Sequence, residues 1–119
     1  MIRPRGIALA ILTMFAASAL VTGQDGSPVE KGKAVYGSVS PRCSMCHSIA
    51  GKGNAMHPLD GVGDKLSAED AKAWIRTPHE MAEKSQSHGK PAMQPYPKEK
   101  ISDQDLDALV AYLLSLKKK

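Results

Sequence analysis

Apolar residues recur at helical spacing in three stretches of this chain, each opened by a capping signal, and the segments between them are punctuated by glycine and proline. Ser27-Pro28-Val29-Glu30 is a capping box with proline at the first helical position, so a helix is predicted from about Pro28 to Ser38. Gly32 inside it costs about 1 kcal/mol relative to alanine, which points to another backbone passing close by, with Tyr36 on the same face. Ser67-Ala68-Glu69-Asp70 opens a second helix that carries Ala71, Trp74 and Ile75 toward the core and stops before Pro78. Thr77-Pro78-His79-Glu80 can cap a further short helical turn. Ser102-Asp103-Gln104-Asp105 caps the last helix, expected to reach about Leu116 with Leu106, Leu109, Val110 and Leu113 on one face. Between them, residues 49–63 read as an irregular, glycine-rich loop. Residues 86–101, with Pro91, Pro95 and Pro97, read as a stiff extended one. No stretch alternates with period two, so the chain is expected to be all-α.

A different pattern fills the N-terminus. Arg3 and Arg5 precede an apolar run from Ile7 to Val21, and a polar break follows, which is the layout of a secretory leader over residues 1–23 with Gln24 as the first mature residue. The rival is an uncleaved membrane anchor, yet a run of about 15 residues spans only about 23 Å as helix against a hydrocarbon core of ~30 Å. Residues 24–119 then form one small domain. The single phenylalanine, Phe15, lies in the leader, so the mature core draws on aliphatics, Trp74 and three tyrosines. That is thin unless something large and apolar fills the centre. Loss of Arg3 and Arg5 also lowers the formal charge from +4 to +2, too little for strong long-range steering. No basic stripe interleaved with aromatics appears, and nucleic acid is not an expected partner.

The chemistry is concentrated in Cys43-Ser44-Met45-Cys46-His47. C-x-x-C-H is the attachment sequence of a c-type haem, in which two thiols each add to a vinyl group and the adjoining imidazole becomes the proximal iron ligand. A thioredoxin-like redox pair would need a βαβ pattern around it. A structural zinc site would need more ligands than the chain's two cysteines supply. One covalently attached haem c on Cys43 and Cys46, with His47 on the iron, is therefore expected, and the extracytoplasmic destination of the leader agrees with it.

Beyond this motif the mature chain resembles class I cytochrome c. The resemblance rests on Gly32 and Tyr36, on Cys43 to His47, and on His57-Pro58-Leu59-Asp60-Gly61-Val62-Gly63. It continues through Trp74-Ile75-Arg76, Met93 in a proline-rich loop, and Leu109-Val110-Ala111-Tyr112-Leu113. It implies a small fold of about three to five helices around one haem, with the first and last helices crossing and Gly32 set against the face of Leu109, Tyr112 and Leu113. It also implies that the Pro58 carbonyl accepts the Nδ1–H of His47. Two departures stand out: His57-Pro58 where the family often has Gly-Pro, and Met93-Gln94-Pro95 where it often has Met-Pro.

The sixth ligand decides the mechanism. Met93 is favoured because its extended loop, well separated from His47, can reach the opposite face. Met81 is the main alternative, and His88 comes next. His79 and Met56 are weaker candidates, and Met45 between the cysteines cannot reach round the ring. Trp74 and Tyr96 are candidate partners for a haem propionate. The expected function is one-electron transfer between redox partner proteins by a monomeric periplasmic carrier rather than an enzyme. The alternatives are a haem subunit of a larger oxidoreductase and a ligand-binding or peroxidatic haem protein with a labile distal site. Contact with a membrane is expected only through partner complexes or an uncleaved leader.

Overall fold

The computed structural model describes residues 26–119, so the leader read over residues 1–23 lies outside the described residues. Helix α1 (Pro28–Ser38) begins where the capping box places it, with the Ser27 hydroxyl accepting the Glu30 N–H at 3.3 Å. Helices α2 (Ala68–Arg76), α3 (Pro78–Ser85) and α4 (Asp103–Leu114) follow. Ser67 and Ser102 cap α2 and α4 in the same way, each accepting a backbone N–H at 3.1 Å, from Asp70 and Asp105. Acidic residues in those first turns sit at the positive end of each helix dipole.

Two helix ends differ from expectation. The turn after Thr77 grows into the eight-residue α3, and Thr77 does not cap it: its hydroxyl donates back to the Ala73 carbonyl at 3.1 Å. Pro78 at the first helical position has no N–H to satisfy, so the start tolerates that loss. Helix α4 ends at Leu114 rather than Leu116, where the chain turns so that Lys117 Nζ reaches the Gly63 carbonyl and Gly63 N–H donates to Leu116 O.

The glycine-rich segment holds three minimal strands, β1 (His47–Ile49), β2 (Lys52–Gly53) and β3 (His57–Pro58), in the order β2-β1-β3. Strand β2 pairs antiparallel with β1, and β3 pairs parallel with it, setting His47 opposite His57 and Ser48 opposite Pro58. Strands this short cannot display a period of two, which is why the sequence reads as loop. The architecture is nonetheless all-α, with four helices among the described residues.

Helices α1 and α4 cross at the glycine. A Cβ at Gly32 would run into the Ala108 carbonyl and would lie 2.7 Å from Tyr112 Cβ, so only hydrogen fits there. Tyr36 and Tyr112 meet edge to face above the crossing, with ring centroids 5.8 Å apart. Of the expected face, Tyr112 meets Gly32, and the nearest approach is made by Ala108, which the sequence reading did not name. Ala108 and Tyr112 face α1, whereas Leu109 turns into a core shared with Val35, Ile75, Ile101, Leu106 and Val110.

Candidate functional site

The Cys43 motif is shaped by one 3₁₀ turn over Cys43–Met45, closed by Cys46 N–H donating to the Cys43 carbonyl at 3.1 Å. The next loop folds back and holds it. Asn54 N–H is shared between the carbonyls of Ser44 (3.0 Å) and His47 (3.1 Å), while its side-chain amide donates to Met45 O at 3.0 Å. Gly53, at φ +107°, permits this return, because a Cβ there would strike the His47 carbonyl.

His47 Nδ1 lies 2.9 Å from the carbonyl oxygen of His57. A carbonyl can only accept, so Nδ1 carries the proton and Nε2 of the neutral ring keeps a lone pair for a metal. The partner is His57 and not Pro58, which corrects the family-based expectation. The parallel register sets His47 against His57, one residue earlier in the chain. Burial lowers the His47 pKa, partly offset by that hydrogen bond, so the ring is held in the neutral form that ligates metal.

The two cysteines and His47 line a largely apolar cavity of about 600 Å³. Leu59 and Val62 follow from the next loop, Trp74 and Ile75 from α2, Leu109 and Leu113 from α4, and Met93 from the proline-rich loop. Cys43 and Cys46 are free and half-buried, and burial pushes the Cys43 thiol up to about 11.

The candidates for the sixth ligand separate by position. Met93 is half-buried and lines the cavity. Met81 is buried, 8% exposed, but does not line it. His79 and His88 reach the wall as exposed side chains, and His88 lies 3.9 Å from Glu83. Met45 and Met56 are 64% and 58% exposed and lie off the cavity. Trp74 lines the wall as expected. Tyr96 does not offer its hydroxyl to a propionate: it donates at 2.6 Å to the Pro41 carbonyl, and burial pushes the phenol up to about 12. No sequence signal marked that bond, because its partner is a main-chain oxygen far away in sequence.

These residues fit a haem bound through two thioethers. The wall is apolar, both thiols and a correctly protonated imidazole stand on it, and a thioether lies on a separate element. Two buried polar atoms on the same wall, Tyr36 Oη and His57 Nε2, have no partner among the described residues, leaving hydrogen-bonding capacity for the polar rim of a bound group. A family model described as cytochrome c matches residues 29–117. No curated protein and no solved structure gives a significant match.

Proposed function

The chain belongs to the cytochrome c family, whose members are electron carriers rather than enzymes, and from that premise we propose that it is a one-electron carrier holding one haem c. Cys43 and Cys46 would anchor the haem, with His47 and Met93 as its axial ligands. The observation that carries this reading is the C-x-x-C-H turn on the wall of an apolar cavity that Met93 also lines and Met81 does not.

Bound there, the haem supplies a reversible one-electron centre. The chain's part is to tune and protect it. The His57 carbonyl fixes the imidazole tautomer and strengthens the donor nitrogen. A thioether in the sixth position raises the potential relative to a second imidazole. With His47 and Met93 both serving as ligands, the chain would leave no open position for peroxide or small gases, which would separate a carrier from a peroxidatic protein. The largely apolar wall would leave few polar groups to reorient when the charge changes.

The redox partners are proteins outside the cytoplasm, a placement that rests on the leader-like pattern of residues 1–23. The test is to purify the protein from its own host, denature it and extract with acidified organic solvent. The pigment should stay with the polypeptide, and the ferric protein should show the weak iron–thioether charge-transfer band. Pigment that washes into the solvent refutes covalent attachment, and a missing band refutes Met93.

A further inference from the structure

We infer that Tyr96, locked by Arg76, is a positioning residue that ties the Met93 loop to the segment entering Cys43 and so keeps the thioether on the iron; this rests on the axial-ligand reading above. Among the described residues, 88–95 make no backbone–backbone hydrogen bond. Pro91 and Pro95 remove two of the donors, and the extended course leaves the others without a main-chain partner. The loop is therefore held at its ends. Upstream, Ser87 N–H donates to Ala82 O at the end of α3, 3.0 Å away. Downstream, closer to Met93 in sequence, stands Tyr96.

Every polar group of Tyr96 is used. Its N–H donates to the Ile75 carbonyl at 2.9 Å, its carbonyl accepts from Arg76 Nη1 at 2.8 Å, and its hydroxyl donates to Pro41 O at 2.6 Å. The ring is 7% exposed and packed in the core. Pro41 lies two residues before Cys43, so one side chain spans from the ligand loop to the attachment segment. Arg76 completes the lock. The same Nη1 donates to Ile101 O at 2.7 Å, and Nη2 pairs with Asp103 at 3.0 Å, which gathers α2, the loop and the start of α4 around one guanidinium. Lysine cannot reproduce this planar fork.

The test uses ferric holoprotein and potassium cyanide, at concentrations where loss of the thioether limits the binding rate. Tyr96→Phe keeps the ring and removes the bond to Pro41, and the limiting rate should rise about tenfold, the equivalent of one hydrogen bond. Arg76→Gln should raise it at least as much, and Arg76→Lys should recover only part of the loss. Val35→Ala, on the core-facing side of α1, is the control for general destabilisation and should leave the rate near wild type. Tyr96→Phe and Arg76→Gln rates no faster than that of Val35→Ala would overturn the inference. Should Tyr96→Phe not accumulate, the Arg76 pair decides. Met93→Ala separates the two claims: if it keeps the charge-transfer band, the ligand reading falls and takes the clamp with it. If it loses the band while the clamp variants behave like the control, the clamp alone is wrong.

Discussion

At the scale of single residues, the two methionines that could serve the iron are told apart by where burial puts them. Met81 is buried away from the cavity, and Met93 stands half-buried on its wall. Met93→Ala should therefore abolish the charge-transfer band and lower the midpoint potential by on the order of 0.1 V, within the ~0.8 V that axial ligands command. Met81→Ala should leave both unchanged and cost about 2–5 kcal/mol of stability in denaturant titration, as buried truncations do. Asp103 carries a second residue-scale prediction. The hydrogen bond from Lys98, helped by Arg76, holds its carboxyl below the ordinary aspartate range. A depressed native pKa adds stability above the unfolded value, and that stability is lost as pH falls through the native one. The wild type should thus exceed Asp103→Asn in denaturant midpoint at neutral pH, with the gap closing below about pH 4. Identical midpoints at pH 7 would show that this exposed pair contributes nothing. The cysteines and His47 were legible because their spacing is their chemistry. The roles of His57 and Tyr96 were not, because strand register and a distant carbonyl set them.

Among the elements, the helices announced themselves through their caps. Ser27, Ser67 and Ser102 each predicted a start that the structure places within a residue, because a hydroxyl three positions before an N–H is a purely local device. The short strands had no such device and follow from the return of the chain over Gly53. Gly32 is the intermediate case: its cost as a helical residue signalled a close approach, but not which residues approach. Alanine there would gain about 1 kcal/mol of helix propensity. It would also drive a methyl into the Ala108 carbonyl and toward Tyr112 Cβ, neither of which is a flexible tip. Over-packing of this kind costs about 1–3 kcal/mol, and since α4 must also move off α1, the balance is negative. Gly32→Ala should lower the denaturant midpoint, and a raised midpoint would mean that the helices do not approach as described.

For the molecule as a whole, composition points to a small aliphatic core, and the structure sets that core beside a cavity. The buried cluster of Val35, Ile75, Ile101, Leu106, Leu109 and Val110 adjoins a cavity of about 600 Å³ instead of closing on itself. What composition could not give was the placement of charge. Many cations are already engaged locally, Lys72 with Asp107 at 2.6 Å, Lys98 with Asp103 at 2.9 Å and Arg76 with Asp103. For the chain without residues 1–23, whose formal charge is +2, reduction by a small ionic reagent such as ascorbate should change less than about threefold between ~0.01 M and ~0.15 M salt, far short of the ~10–10³ that steering provides. A steeper slope would reveal a patch of one sign near the haem edge. The crossing of α1 and α4 has a consequence in time as well as space. The earliest helix of the domain finds its partner only when the final one has been made, so during synthesis the crossing cannot form until the chain between them is complete. Cys43 and Cys46 lie between those helices in sequence, so both thiols are made before the crossing can half-bury them.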